Sequence, residues 1–349
     1  MSSTISRAAP ELLFGGPDRP PRSLRDALHA KVEAVPPGGA IDWATYYFRD
    51  LALAEALIAA SDRGVEVRLC VEGSPRRADV NAAVVARLRV HGLGGGLCVS
   101  KPGPLPRLHP HLHLKIYAFS HPAPVAYVGS FNPSGDDPED PELIAEIGDQ
   151  DRGHNLLVGF TDPVLQGGLV AHVGRLARAG ASSLDRFRPS QNRPLVSSDT
   201  AVYFFPRLRP AVIDADLDAA GAGTEIRGAV SHLKRGPLAD RLMAAARRGA
   251  EVRLLVHDTE RRVPAATVEQ LAAAGVRIAR YRHPEGLPLH AKFLLVESAR
   301  TRLSAFGSFN FNPRSRWLNH ELLVRSTDPR LADALGARFV AISGEADLL

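Results

Sequence analysis

Two short elements of the sequence place a histidine and a lysine two positions apart. His113 precedes Lys115 in His-Leu-Lys, and His290 precedes Lys292 in His-Ala-Lys. Residues two apart on a strand point to the same face, so each element presents an imidazole beside an ammonium group. An imidazole can attack phosphorus or protonate a leaving oxygen, and an ammonium group suits the oxygens of a phosphate. These residue types therefore indicate chemistry on a phosphate ester.

Each His-x-Lys element is followed by Gly-Ser-Phe-Asn, at 129–132 and 307–310. One His-x-Lys alone would be uninformative, because this spacing is frequent, but its duplication with the same partner stretch indicates a site. We expect the two copies to converge, with the ammonium and amide groups on the non-bridging phosphate oxygens. This predicts catalytic roles for Lys115, Lys292, Asn132 and Asn310, and substrate contacts for Ser130 and Ser308.

The same two elements belong to a longer internal repeat, which is sought first in any sequence. Four matches occur in the same order, at 63–71 and 248–256, 113–115 and 290–292, 129–132 and 307–310, and 156–163 and 322–329. We therefore predict one copy of a single fold in residues 1–180 and a second in 181–349. A Ser-, Arg- and Pro-rich linker is expected over 178–200.

Strands and helices alternate within each copy. Strands are predicted at 40–45, 65–71, 114–119, 125–128 and 156–160 in the first copy, and at 224–230 and 250–256 in the second. Helices are predicted at 51–63, 80–90, 238–248 and 265–274, several of them closed by a glycine. This order is typical of an α/β domain with a mixed sheet.

Length and composition limit the class of protein. A chain of 349 residues, 45% hydrophobic and 23% charged, is typical of two globular domains. Only two cysteines occur, no run is long and apolar enough for a membrane span, and no secretory signal is visible. A soluble cytoplasmic protein is therefore expected.

Charge is distributed unevenly along the chain. Residues 1–180 carry a net charge of −2 and residues 181–349 one of +7. The basic half favours polyanions or an anionic membrane surface, although abundant arginine also fits an ordinary solvated surface. An acidic insertion at 136–151 follows the first Gly-Ser-x-Asn. We expect it to overhang the site and to disfavour a long polyanion, unless it is simply a solvated loop.

The two motif pairs resemble the phospholipase D superfamily, whose signature is His-x-Lys-x4-Asp followed by Gly-Ser-x-Asn. The second copy is the fuller match, at 289–293, 307–315 and 319–321. The resemblance implies an α/β fold of two tandem, pseudo-twofold-related α/β/α domains with mixed central sheets and one shared site. It also implies a covalent phosphohistidine intermediate and no metal or other cofactor. Because one copy supplies only one imidazole, we expect a monomer whose copies are inert apart.

The sequence departs from that signature at three positions. Ser120 and Glu297 replace the motif aspartates, which implies an altered scaffold. Glu321 aligns with Asn155, and the resemblance implies that the carboxylate orients the histidine of its own copy, His290. On that pairing the carboxylate raises the pKa of His290, so His113 is predicted as nucleophile and His290 as general acid. The opposite argument is that a carboxylate also orients an attacking imidazole and stabilises its cationic adduct.

Four further residues are candidates for the site or its surroundings. Trp317 and Asn155 are predicted to contact the substrate. His109 and His111 alternate before the first motif, but no cysteine or carboxylate lies nearby at ligand spacing, so no metal is expected. We expect these two histidines at the mouth of the site or in solvent.

The leading functional prediction is a phosphodiesterase or phosphatidyltransferase acting on a phospholipid or another small phosphodiester. Peripheral membrane contact stays open. The alternatives are a nuclease or nucleic-acid-processing enzyme of the same superfamily, favoured by the basic second half, and a non-catalytic phosphate-binding scaffold, favoured by Ser120 and Asn155.

Overall fold

The first part of the chain builds a seven-stranded mixed sheet. The computed structural model describes residues 9–77, 79–101, 109–134, 144 and 146–345. The strands are β1 (Glu11–Gly15), β2 (Ala40–Thr45), β3 (Glu66–Val71), β4 (Leu97–Val99), β5 (Ile116–Phe119), β6 (Val125–Gly129) and β7 (Asn155–Phe160). Their order in the sheet is β1-β7-β6-β5-β2-β3-β4, and β2, β3 and β4 run parallel while the other neighbours are antiparallel.

The second part builds an eight-stranded sheet with the same topology. Its strands are β8 (Leu195–Ser197), β9 (Thr200–Phe205), β10 (Glu225–Val230), β11 (Glu251–His257), β12 (Arg277–Tyr281), β13 (Lys292–Glu297), β14 (Arg302–Gly307) and β15 (Glu321–Ser326). The order is β12-β11-β10-β13-β14-β15-β9-β8. Strands β9 to β15 therefore repeat β1 to β7, and β8 is an addition. The predicted α/β fold of two tandem copies with mixed sheets is confirmed.

Helices cover both faces of each sheet. They are α1 (Ser23–Glu33), α2 (Leu51–Asp62), α3 (Ala82–His91), α4 (Pro163–Ala179), α5 (Asp214–Ala219), α6 (Pro237–Arg247), α7 (Ala265–Ala273), α8 (Pro313–Trp317) and α9 (Pro329–Gly344). Asp50 caps α2 by accepting a 2.9 Å hydrogen bond from Leu53 N. Gly64 and Gly249 follow α2 and α6 with φ of 89° and 90°, the left-handed conformation that glycine adopts without strain.

The apolar side chains form one central core and two outer ones. The central core packs α4 and α9 between the two sheets, whereas the outer cores lie under α1 to α3 and under α5 to α7. Trp43 is fully buried in the first outer core. Burial of one face of each sheet in a shared core fixes the two copies against each other.

The replaced motif aspartates occupy scaffold positions. Ser120 Oγ accepts a 2.7 Å hydrogen bond from Ala40 N, and Glu297 Oε1 accepts one of 2.9 Å from Arg302 Nε. Both substitutes therefore tie neighbouring strands together rather than contributing to the site.

The linker is more structured than its composition predicts. It contains a 3-10 helix (Ser183–Phe187) and strand β8, which extends the second sheet at its edge. Of the helices that the structure describes, none has the length and apolar character needed to cross a bilayer.

Candidate active site

The two copies are joined by parallel backbone bridges immediately before the predicted site residues. Leu112 bridges to His320, and His154 bridges to Leu289. The first bridge includes a 2.9 Å hydrogen bond from His113 N to His320 O. Each histidine strand therefore runs beside the strand that carries the supporting Glu or Asn of the other copy.

Glu321 supports His113. Glu321 Oε2 lies 2.8 Å from His113 Nδ1, and the fully buried carboxylate also accepts 2.6 Å hydrogen bonds from Ser308 Oγ and Ser315 Oγ. Burial alone would raise the pKa of Glu321, but His113 and the other neighbouring donors lower it below its ordinary value. The expectation that Glu321 orients His290, in its own copy, is therefore wrong, because the bridges pair each support with the opposite copy.

Asn155 supports His290 in the equivalent place. Asn155 Oδ1 lies 2.9 Å from His290 Nδ1 and accepts a 2.9 Å hydrogen bond from Ser130 Oγ. Asn155 Nδ2 donates to Gln150 O at 3.0 Å. The pKa of His290 lies well below its ordinary value because of burial, with the Lys292 charge as the next cause. Burial also lowers the pKa of His113, to about 4, although Glu321 opposes the shift. The two imidazoles thus have equivalent geometry, but a carboxylate supports one and a neutral amide supports the other.

The hydrogen bonds also define the tautomers. An ionised carboxylate only accepts, so His113 Nδ1 donates to Glu321 and His113 Nε2 keeps its lone pair. Asn155 Oδ1 only accepts, so the neutral His290 imidazole carries its proton on Nδ1, and His290 Nε2 accepts from Lys292 Nζ at 3.1 Å. The described residues show no such donor to His113 Nε2.

The motif lysines are buried beneath the imidazoles. Lys115 Nζ donates to His113 O at 3.0 Å, and Lys292 Nζ donates to His290 O at 2.8 Å. Burial lowers the pKa of Lys115 to about 7 although Glu321 opposes the shift. The pKa of Lys292 is also well below its ordinary value, because of burial and the Lys115 charge. An entering anion would favour the charged form of both.

One cavity of about 420 Å³ lies above these groups, and it is lined by both histidines, Asn132 and Asn310. Asn132 Oδ1 accepts a 3.4 Å hydrogen bond from Tyr47 N. Asn310 Oδ1 is buried with no hydrogen-bond partner among the described residues. The structure therefore brings the two imidazoles and the two amides together, as expected for one shared site.

The four residues predicted to contact substrate lie elsewhere. Ser130, Ser308 and Asn155 are buried behind the imidazoles and do not line the cavity. Trp317 is 43% exposed on the outer surface, where its carbonyl accepts from Arg186. The expectation of substrate contact is thus corrected: the first three position the imidazoles, since their polar atoms are used in hydrogen bonds to them or to their supports.

The cavity wall is strongly cationic, a feature that the His-x-Lys and Gly-Ser-x-Asn motifs do not predict. Five basic residues line it: Arg76, Lys234, Arg261, Arg262 and Arg314. Burial, and next the Arg261 charge, lower the pKa of Arg262 to about 10. No carboxylate of the described residues forms an ion pair with Arg262, and a buried guanidinium in that state favours an anionic ligand.

A sequence signal for this wall existed in the repeat. The Arg-Arg pairs at 76–77 and 261–262 are separated by the same 185 positions as the matched strands at 63–71 and 248–256. Tyr47 and His232 share that separation, and both line the cavity. Each pair follows the carboxyl end of an interior parallel strand, β3 in the first sheet and β11 in the second.

The described part of the acidic insertion is held by these arginines. Glu146 accepts a 2.8 Å hydrogen bond from Arg77 through its carboxylate and one of 2.7 Å from Arg261 through its carbonyl. Arg262 donates to Ile147 O at 2.9 Å. Residues 135–143 and 145 lie outside the described residues, so the expected overhang of the insertion stays a prediction.

Folding brings a carboxylate to the two histidines that precede the first motif. One ligand atom each of Glu72, His109 and His111 lies within 4.8 Å of the others, a grouping that could hold a metal ion. Glu72 also accepts hydrogen bonds from Leu112 N at 2.6 Å and Ser100 Oγ at 2.8 Å. Burial lowers the pKa of His111 to about 4, so this imidazole is neutral. The sequence does not predict the cluster, because Glu72 follows β3 and lies far from both histidines along the chain.

Comparisons with known proteins agree with this architecture. The family described as "Cardiolipin synthase, PLD-like domain" matches residues 38–141 and 214–342. Phosphatidylserine synthase from Haemophilus influenzae is 12% identical with a TM-score of 0.64, over 96% of this chain and 85% of that one. Polyphosphate kinase from Porphyromonas gingivalis is 13% identical with a TM-score of 0.62, over 96% of this chain. The chain spans only 50% of that kinase. No curated protein sequence matches the chain.

Two pseudo-twofold copies, each with a His-x-Lys and a Gly-Ser-x-Asn element whose histidine and asparagine line a common cavity, define the phospholipase D fold class. The chain belongs to the cardiolipin synthase, PLD-like family of that superfamily, whose match covers more than half of its residues. The superfamily contains phosphodiester-acting enzymes.

Proposed function

We propose that the protein is a phosphodiesterase or phosphatidyltransferase that acts on a phospholipid or another small phosphodiester. The observation that carries this proposal is the position of two differently supported imidazoles on one cationic cavity. The family description and the fold shared with a phosphatidylserine synthase support a lipid substrate. The proposed location is the cytoplasm.

His113 is the proposed nucleophile. Its Nε2 lone pair is available, and attack on phosphorus makes the imidazole cationic in a buried place where Glu321 supplies the counter-charge. The phosphorus–oxygen bond to the leaving alcohol breaks in this step. Lys115, Lys292, Asn132 and Asn310 would donate to the non-bridging oxygens.

His290 is the proposed general acid. Without substrate, Lys292 donates to His290 Nε2, so this nitrogen carries no proton. A phosphodiester anion in the cavity would raise the pKa of both groups, so that His290 Nε2 takes up a proton and Lys292 turns its hydrogen bond to a phosphate oxygen. His290 would give its proton to the leaving oxygen and then accept one from the incoming water or alcohol. The histidine assignment is the one predicted from sequence, but it rests on the opposite partner for the carboxylate.

Trapping the adduct tests this proposal. A His290→Asn variant incubated with an aryl phosphodiester, whose leaving group needs no proton, should release the aryloxide and accumulate on His113 a phosphohistidine adduct that keeps the second ester group, detected by mass spectrometry after an alkaline quench. His113→Asn should form no adduct. An adduct on His290 in a His113→Asn variant would reverse the roles. Adding an alcohol acceptor to the wild-type protein distinguishes transfer from hydrolysis by the product.

The cationic wall also favours a second candidate function, a nuclease. An oligonucleotide substrate should show turnover that falls steeply with salt, because phosphate neutralisation releases counterions. A short-chain phospholipid should respond much less. Faster turnover of the oligonucleotide at low salt would favour the nuclease.

A further inference from the structure

A second surface, outside the active-site cavity, combines exposed apolar and basic side chains. The linker and the loop after β9 form a groove of about 580 Å³ lined by Arg186, Arg193, Arg207, Leu208 and Arg209. Phe187 and Leu208 are 62% and 56% exposed. Globular proteins rarely expose a cluster of large apolar side chains, and such a cluster marks a site of interaction with another molecule or a membrane.

The same surface reaches the end of α8. Arg186 donates through its guanidinium to Trp317 O, and its guanidinium carbon lies 5.9 Å from the Phe187 ring centroid. Trp317 ends α8, whose first residues line the active-site cavity. We define the linker patch as Leu184, Phe187, Leu208 and Trp317 with Arg186, Arg193, Arg207 and Arg209. It therefore lies beside the wall of the site.

The charge of the linker patch is not neutralised. No carboxylate of the described residues forms an ion pair with Arg186, Arg193, Arg207 or Arg209, whereas many other arginines of the chain are paired. Asp185 is buried and bonded instead within its own cluster, 3.6 Å from Arg175 and 3.5 Å from Arg188. The Arg207 guanidinium is half-buried, 5.1 Å from the Tyr203 ring centroid, whereas Arg193 and Arg209 are exposed. The patch thus presents positive charge, chiefly from Arg193 and Arg209, around exposed aromatic and aliphatic groups.

We infer that the linker patch docks the protein on an anionic lipid bilayer. Arginines favour a negatively charged leaflet, and Trp, Phe and Leu insert at the interface between headgroups and acyl chains. A nucleic acid would also attract the arginines, but it offers no medium for Leu184, Phe187 and Leu208. Docking at this patch would hold the active-site wall close to the lipid surface.

The chain carries its own probe for this interaction. It has two tryptophans, Trp43, which is fully buried, and Trp317, which is in the patch. Vesicles of phosphatidylglycerol and phosphatidylcholine in equal parts should shift the emission of Trp317 to the blue, and brominated acyl chains should quench it. Pure phosphatidylcholine vesicles should bind much more weakly. A Trp317→Phe variant should lose the spectral change and so assign it.

Variants separate charge from insertion. Each arginine near an anionic leaflet favours binding about fivefold, so Arg193→Gln with Arg209→Gln should weaken vesicle binding by roughly 25-fold. Phe187→Ser with Leu208→Ser should weaken it at all salt concentrations. The matched control is Arg89→Gln with Val90→Ser, an exposed arginine and an 84% exposed apolar residue on α3. The control should bind as the wild type does.

The inference rests on the proposed lipid function, so catalysis is measured separately from vesicle binding. His113→Asn should bind vesicles normally, and the patch variants should keep turnover of a soluble short-chain substrate. If the proposed substrate is wrong, turnover fails while vesicle binding remains. The inference is overturned if patch variants and control bind vesicles alike, or if the patch variants lose only oligonucleotide binding.

Discussion

The substitution Glu321→Gln tests the crossed support of the two histidines. Glu321 is fully buried and accepts three side-chain hydrogen bonds, of 2.8, 2.6 and 2.6 Å. Glutamine keeps the shape but removes the charge. A charge-assisted hydrogen bond contributes about 1.5–3 kcal/mol, which corresponds to roughly 10- to 150-fold in rate when it acts in the transition state.

A second effect adds to the first. The amide of glutamine can donate to His113 Nδ1, which favours the tautomer with its proton on Nε2 and removes the attacking lone pair. Loss of the correct tautomer in a comparable histidine–carboxylate pair costs roughly 10⁴-fold. We therefore expect Glu321→Gln to lower turnover by about 10²- to 10⁴-fold. Unchanged thermal unfolding would show that the fold is retained.

Comparison of two substrates locates the defect. An alkyl phosphodiester needs a general acid, whereas a p-nitrophenyl phosphodiester does not. Glu321→Gln should slow both to a similar extent, because it impairs the nucleophile, whereas His290→Ala should slow the alkyl ester far more. Glu146→Gln, at a carboxylate that lines the cavity without touching an imidazole, is the control. If Glu321→Gln selectively slows the alkyl ester, Glu321 acts on the general acid and the reasoning fails.

Four further outcomes are expected. Lys292→Met should lower turnover by roughly 10²-fold or more, measured at saturating substrate, because it removes a charged donor; a change of only a few-fold would exclude that role. The profile of kcat/KM against pH should rise through about 4, where His113 becomes neutral, and fall at higher pH as His290 and then Lys115, whose pKa is about 7, lose their protons; a profile that keeps rising above pH 7 would exclude a protonated general acid. Residues 1–180 alone should show no turnover unless they self-associate, since one half supplies one imidazole; activity of a monomeric half would contradict a shared site. Gly129→Ala should lower the melting temperature, because its Cβ would lie 2.1 Å from Leu156 O; calorimetry showing no change would mean that β6 and β7 separate without cost.

The sequence by itself determined the fold class and most of the cavity floor. Amphipathic spacing and closing glycines predicted the helices, and β-branched runs predicted the strands, because these signals are local. Each weak motif occurs at equivalent positions of both copies, and this coincidence singles out His113 and His290 among 13 histidines. The duplicated Arg-Arg pairs carried the same information, and alignment of the whole repeat would have found them.

Only the tertiary structure decided which support serves which histidine. Glu321 is 31 residues from His290 and 208 from His113, yet it bonds the distant one, because a pseudo-twofold axis pairs the end of each copy with the start of the other. Burial likewise turned Ser130, Ser308 and Asn155 from expected ligands into positioning groups. Neither outcome is local, because both depend on the packing of the two sheets against each other in one core. No short motif encodes that packing.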